Sequence, residues 1–242
     1  MAPQTLHTVL DMVFPRRCAG CPGPGWPFCD RCRSSVGVLR PPGCRRCGRP
    51  LQWDVDSCRD CPPSPVDWVR AAFAYDEPVR RALLSVKFGG MRAVADAFVP
   101  WMRRAMADRP GGGVTITWVP LGRRRRRRRG FDQAELLAAG LAEGTGLACR
   151  ALLERIRETE PQAVRGASER RRALSGAFRA VAPAPSRLVL VDDVLTTGAT
   201  ATECARVLRG AGAGEVGVVT AARAVPGPLP ARCYTPAVWI LS

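Results

Sequence analysis

Residues 187–200 read RLVLVDDVLTTGAT, and this stretch decides the fold. Arg187 to Val191 is an apolar run of strand length, which predicts a strand buried on both faces. It leads into Asp192-Asp193 and then into a Thr/Gly loop that opens a helix from about Ala199 to Leu208. Open α/β sheets build their sites at the carboxyl ends of strands, so chemistry belongs here on geometry alone. Thr196, Thr197, Gly198, Ala199 and Thr200 offer backbone N–H groups, three hydroxyls and the positive end of a helix, a cradle for a phosphate monoester. Gly198 lets the backbone approach the anion closely. The loop is not a Walker A loop, because the Lys and the GxxxxGK spacing are absent. The acidic pair suits sugar hydroxyls or a Mg2+-bound water shell. Neighbouring strand residues point to opposite faces. Asp192 and Asp193 therefore share one ligand only if the strand ends there, and the sequence reading expects that it does.

Outward from this segment, strand and helix patterns alternate. Strands are expected at Trp68–Tyr75, Val114–Pro120, Val216–Ala222 and Ala237–Leu241. Helices are expected at Val79–Phe88, Ala93–Met106 and Asp132–Glu143, the last ending at Gly144. The alternation implies an α/β fold with a mostly parallel sheet flanked by helices. Leu6, Val9, Leu10 and Val13 are spaced for a short amphipathic helix. Gly210, Gly212 and Gly214 follow a helix and precede a strand, so they read as a stop and turn, not a dinucleotide loop.

Eight of the eleven cysteines lie before residue 62, as four CxxC pairs: Cys18/Cys21, Cys29/Cys32, Cys44/Cys47 and Cys58/Cys61. A CxxC knuckle sets two sulfurs about 3.5–4 Å apart, one edge of a tetrahedron around Zn2+. Two structural zinc sites are expected, with an iron-sulfur cluster as the minor alternative. Pairing nearest neighbours gives Cys18, Cys21, Cys29, Cys32 and Cys44, Cys47, Cys58, Cys61; interleaved pairing is the alternative. The region is rich in Gly and Pro and poor in aliphatics, so metal supplies its folding energy. Pro62-Pro63-Ser64-Pro65 reads as a stiff linker, dividing the chain into 1–65 and 66–242. Cys149, Cys204 and Cys233 are isolated and read as small buried hydrophobes.

The 242 residues carry a net charge of +16, and 36 of the 37 basic residues are Arg, Lys87 being the exception. GC-rich coding accounts for Arg over Lys but less well for the excess of base over acid. Such a field favours polyanions. Arg123, Arg124, Arg125, Arg126, Arg127, Arg128 and Arg129 are adjacent and repel one another, which favours a visiting anion over a merely solvated run. His7 is the only histidine, which argues against a Ser-His-Asp triad or a two-Cys, two-His finger. No apolar run is long enough to span a bilayer, so no membrane insertion is expected. The first fourteen residues lack a basic cluster, which argues against a secretory signal and for a reducing, cytoplasmic setting.

The strand, acidic pair and TTG loop resemble the signature of type I phosphoribosyltransferases, which bind 5-phosphoribosyl-1-pyrophosphate (PRPP). Val119-Pro120-Leu121 with Arg129-Gly130-Phe131-Asp132-Gln133-Ala134 is similar to the "VP…RGFNQA" block of the ComF/GntX family. Arg157, Thr159, Pro161-Gln162, Glu169-Arg170-Arg171 and Gly176-Ala177-Phe178 resemble its "R…T…PQ…ERR…GAF" stretch, and Val86-Lys87-Phe88 its "LKY" element. The cysteine region resembles its double zinc ribbon. The resemblance implies a type I phosphoribosyltransferase fold behind that ribbon. By it, Asp192 and Asp193 hold the ribose hydroxyls, directly or through Mg2+, and Thr196 to Thr200 hold the 5′-phosphate. Val119, Pro120, Leu121 and Gly122 form the pyrophosphate loop, with Lys87 and Arg123 as charge partners. Residues 155–172 form a loop that closes over the reacting centre. Thr196 stands where purine-salvage members carry a catalytic Asp, so a purine acceptor is not supported. Asp132 stands where the family usually has Asn. The family's name points to competence, with single-stranded DNA and a DNA-processing helicase as partners. Three functions fit: a PRPP-dependent transferase, a nucleic-acid-binding protein that inherited the phosphate pocket, and a PRPP-responsive regulator.

Overall fold

A computed structural model describes residues 17–61, 63–89, 93–109, 112–158, 172–225, 227 and 234–236. The helix expected near residues 4–14, the strand at 237–241, His7, Cys233 and most of the 155–172 loop lie outside the described residues.

Strand β7 (Arg187–Leu195) lies inside a seven-stranded sheet, between β3 (Val114–Trp118) and β8 (Glu215–Arg223), and is parallel to both. Beyond β3 comes the short β4 (Ala148–Cys149); beyond β8 come β2 (Trp68–Ala74), β1 (Gly37–Leu39) and β9 (Tyr234–Pro236). Strand β2 is parallel to β8, whereas β1 is antiparallel to both β2 and β9. The largely parallel sheet expected from the alternating pattern is present.

The register of β7 differs from expectation. The strand does not stop at Asp193: Asp192 pairs with Thr220, Val194 with Ala222 and Leu195 with Arg223. The long, apolar β8 offers a partner over its whole length, and backbone pairing carries β7 past its two acids. Alternation along β7 divides the interior. Val189 and Val191 join Phe73, Phe98, Met102, Leu137 and Leu141 in one core. Leu188 and Leu190 join Phe178, Cys204, Leu208, Val216 and Val218 in the other. The first core lies under α2 (Val79–Gly89), α3 (Ala93–Ala105) and α5 (Gln133–Thr145). The second lies under α6 (Ala199–Gly210) and a separate antiparallel ribbon, β5 (Leu153–Arg155) with β6 (Phe178–Ala180).

Helix α5 runs through Gly144 and ends at Thr145, capped two residues beyond Gly144 by Gly146 in the left-handed region (φ 70°). Glycine is the residue that ends helices this way without strain. The arginine run, read from sequence only as a charged stretch, is a helix, α4 (Arg123–Arg129), with Gly130 (φ 76°) as its stop. Cys204 is buried as expected, but Cys149 is exposed on the edge strand β4. Among the described residues, no helix is long and apolar enough to cross a membrane.

The cysteine region is built into this sheet. After the short α1 (Asp30–Ser35), β1 inserts between β2 and β9, with Val38 opposite Phe73 on one side and Thr235 on the other. Val36 and Val38 are buried in the first core. The expected linker is tied down too: Arg209 donates to the Pro65 carbonyl at 3.2 Å and Arg46 to that of Ser64 at 3.3 Å.

Because β1 is shared, damage there should spread. Val38→Asp places an unpaired carboxylate at a site only 4% exposed and should cost about 2–4 kcal/mol. Thermal unfolding should show the whole chain destabilised in one transition. An unchanged transition for the α/β body would mean that the cysteine region folds independently.

Candidate functional site

Two loops meet at the carboxyl edge of the sheet. After Leu195, Thr196 and Thr197 are exposed, and Gly198 (φ 76°, ψ 1°) caps α6. The positive φ turns the chain sharply from strand to helix, which glycine alone permits at low cost. The Ala199 N–H donates to Thr197 Oγ1 only weakly, at 3.4 Å, and no side chain caps the helix through Gly198. The first amides of a 12-residue helix thus face the loop mouth, where an anion is favoured.

The second loop is 119–122. Val119 N–H donates to Val191 O at 2.9 Å, which carries the β3–β7 pairing beyond Trp118 and sets this loop beside Asp192. Asp132, 3% exposed, fixes it: its carboxylate accepts the Leu121 N–H at 2.6 Å and the Ala134 N–H, at the start of α5, at 3.1 Å. Burial pushes its carboxyl up, against the pull of the Leu121 N–H. Asparagine has a single acceptor oxygen, so the aspartate at this position serves loop and helix with separate atoms. Gly122 lies directly against the Glu158 carboxylate, whose Oε1 accepts the Arg124 N–H at 3.1 Å, so a side chain at 122 would push that carboxylate aside.

The acidic pair is divided between the two faces of β7. Asp192 continues the Leu188–Leu190 face, where Arg155 and buried Cys204 feel its charge. Asp193 continues the Val189–Val191 face, where Arg129 feels it. Each carboxylate accepts the next backbone N–H, Asp192 from Asp193 at 2.8 Å and Asp193 from Val194 at 2.7 Å. The two acids therefore do not converge on one point. Burial, and then the charge of Arg125, pull the pKa of both Arg129 and Arg155 down, and the carboxylates oppose that pull.

The arginine helix has two roles by position. Arg125 and Arg129, four residues apart on one face, are half-buried; Arg129 lies near Asp193, and Arg125 near both Arg129 and Arg155. Arg123 bonds Glu154 at 2.5 Å, and Glu154 also holds Arg179 at 2.8 Å. Arg123 is therefore bound to the β5–β6 ribbon rather than poised as the charge partner expected for the pyrophosphate loop. Arg126 pairs with Glu135 at 3.0 Å. Arg124, Arg127 and Arg128 are exposed and form no ion pair among the described residues. Lys87 lies on α2, with its side chain outside the described residues. Sequence reading placed Arg125 and Arg129 in the anion-binding run and Arg155 and Glu158 in the closing loop; it did not foresee which arginines of the run turn inward or that Glu158 rests against Gly122.

The cysteines form two compact tetrads, Cys18, Cys21, Cys29, Cys32 and Cys44, Cys47, Cys58, Cys61, each with its sulfurs within 4.8 Å of one another. Pairing is between neighbours in sequence, not interleaved. The Cys21–Cys29, Cys44–Cys61 and Cys47–Cys58 separations are 3.6, 3.7 and 3.6 Å. A tetrahedral Zn–thiolate site has edges of about 3.8 Å, so the donors fit zinc. Burial opposes ionisation of Cys18 and Cys44, but donated backbone N–H groups outweigh it. Cys29 N–H approaches Cys18 Sγ at 3.3 Å, while Cys47 and Cys58 approach Cys44 Sγ at 3.4 and 3.2 Å. Both thiols are lowered to about 7. Burial raises those of Cys32 and Cys47.

Residues 9–62 match the double zinc ribbon domain family. The DNA utilization protein YhgH of Salmonella typhimurium is 33% identical over 202 residues, covering 80% of this chain and 88% of that protein. Competence protein F of Haemophilus influenzae is 28% identical over 209 residues, covering 81% of this chain and 90% of that protein. A solved structure of the allosteric regulatory enzyme of purine biosynthesis aligns with 52% of this chain and 26% of its own, at 24% identity and a TM-score of 0.37.

Metal content tests the tetrads. Purified protein never exposed to chelator should carry about two zinc ions per chain, and Cys44→Ser about one. Protons compete with metal for thiolate, so zinc affinity should weaken progressively as pH falls. Fewer than one zinc per wild-type chain would contradict the two-site reading.

Proposed function

The chain belongs to the ComF-type family of DNA utilization protein YhgH and competence protein F, and we propose that it binds PRPP in the handling of single-stranded DNA. One observation carries the reading. The apolar β7, its two acids and the TTG loop open onto α6 at the sheet's carboxyl edge, and the 119–122 loop is clamped alongside.

In this reading Thr196, Thr197, Gly198, Ala199 and Thr200 receive the 5′-phosphate through first-turn amides and hydroxyls. Asp192 and Asp193, on opposite sides of the strand, receive ribose hydroxyls from two directions. Val119, Pro120, Leu121 and Gly122 receive the pyrophosphate, with Lys87 as a further cation. Glu158 now rests against Gly122 and the Arg124 N–H, where a pyrophosphate oxygen would be received, so binding displaces that carboxylate. The carboxylate oxygens at the end of β7 are hard donors that suit a largely hydrated Mg2+. When bound with PRPP, that ion neutralises leaving-group charge.

Transfer breaks the bond from the anomeric carbon to pyrophosphate oxygen and forms one to an incoming nucleophile, through an oxocarbenium-like state. Arg129, near Asp193, and Arg125 beside it supply fixed positive charge near the departing pyrophosphate. The outer face of α4, with Arg124, Arg127 and Arg128, offers charge to a nucleic-acid backbone. Reduced cysteines holding zinc fit a cytoplasmic setting, and the family resemblance supports a DNA-processing helicase as partner.

Saturating PRPP with Mg2+ should raise the unfolding temperature of wild type, a linkage effect of about 2.7 kcal/mol at a hundredfold excess over Kd. Asp192→Asn with Asp193→Asn should abolish the shift without lowering stability, and Thr197→Val should reduce it. Glu158→Gln should enlarge it. No shift in wild type would overturn PRPP binding and leave the nucleic-acid-binding reading. Changing Arg124, Arg127 and Arg128 to Gln should flatten the salt dependence of single-strand binding by about 2 in log–log slope, roughly 0.7 per phosphate contact. An unchanged slope would make that face a solvated surface.

A further inference from the structure

A sizeable cavity lies away from the TTG loop. It holds about 560 Å3 and lies between the second cysteine tetrad, strands β1 and β2, and the end of α3. Helix α3 returns the chain toward the start of β3, so this cavity opens at the amino edge of the sheet. Two contacts confirm the placement: Arg70 bonds Asp108 at 2.6 Å, and Arg109 stands 5.0 Å over the ring of Trp68, the first residue of β2.

The lining combines an apolar floor, one indole and an excess of cations. Val38, Val69, Ala71 and Ala72 lie below, and Trp101 is half-buried at the wall, with its ring 5.4 Å from that of Phe73. Five arginines line the cavity against two aspartates. Three of the arginines are engaged: Arg70 with Asp108, Arg45 with Asp56 at 3.4 Å, and Arg49 with Asp60. Asp54 accepts the Gly43 N–H at 2.8 Å. Arg40 and Arg104 have no carboxylate partner among the described residues, and Arg40 Nε is buried without a hydrogen bond. A buried guanidinium donor without an acceptor is costly unless a ligand supplies one.

We propose that this cavity binds a nucleotide, its base against the Trp101 indole and its phosphate on Arg40 and Arg104. The volume falls within the range of small-ligand pockets. A planar base and an indole stack without demanding a particular sequence. Guanidinium forks match phosphate oxygens in pairs. A peptide has less to hold it, because β1 is paired on both sides and offers no free edge for strand addition. A free mononucleotide and the terminal nucleotide of a single strand present the same chemistry here. The site stands apart from the proposed PRPP pocket and does not depend on it.

Tryptophan fluorescence of the full-length, zinc-loaded protein tests this, titrated with 5′-dAMP and separately with a 5′-phosphorylated oligothymidylate. Saturable quenching is expected. It should vanish in Trp101→Phe, and Kd should rise at least tenfold in Arg104→Gln, an exposed residue whose loss leaves the core intact. Arg40→Gln should act similarly with zinc content unchanged. Quenching by dAMP identifies a free-nucleotide site; quenching by the oligonucleotide alone identifies a strand-end site. Three results would overturn the proposal: no quenching by either, an unchanged Kd in Arg104→Gln, or ribose 5-phosphate binding as tightly as dAMP. The PRPP thermal shift should persist in all three variants, so losing it in wild type would count against the PRPP reading alone.

Discussion

The parallel pairing of β7, with β3 as far as Val191 and with β8 on to Leu195, is the constraint on which the rest depends. A central strand hydrogen-bonded on both sides fixes its alternation residue by residue, and a shift of one would send a core face to the wrong layer. The alternation that sorts Leu188 and Leu190 from Val189 and Val191 reaches the two acids and then reverses, with Val194 against the first core and Leu195 in the second. The acidic pair is thereby split, with Arg155 on one side and Arg129 on the other. A ligand at this edge meets one carboxylate from each face rather than a chelating pair.

Metal and sheet are coupled through β1. A region with so few aliphatic residues gains order from its cysteine tetrads, yet Val36 and Val38 pack in the core of the α/β body. Arg223, at the carboxyl end of β8, donates to the Cys47 carbonyl. Loss of metal should therefore reach the sheet, and the cavity beside the second tetrad should feel it first.

Much of this was legible in the sequence. The apolar run ending in DD and TTG placed a strand, a loop and a helix, because a parallel-sheet strand, a glycine turn and a helix start each carry a local signature. The CxxC spacing gave both tetrads, and only space could choose between sequential and interleaved pairing. The end of β7 was misplaced because the extension of the strand is set by its neighbour β8, not by its own residues. Arg123–Arg129 was not read as a helix, since like charges mask periodicity; its Gly122 and Gly130 ends were the available clue. The contacts of Glu158 with Gly122, and of Arg123 with Glu154, join residues more than thirty positions apart and had no sequence signal. The Trp101 cavity is likewise assembled from three separate segments.

The central claim is that an anion sits where β7 turns into α6. Amide hydrogen exchange of the full-length protein, with and without PRPP and Mg2+, reads that position directly. The account predicts slowed exchange at Thr197, Gly198, Ala199 and Thr200, with a second protected patch at Leu121 and Gly122. Protection confined to Arg123–Arg129, or no change at the loop, would contradict it.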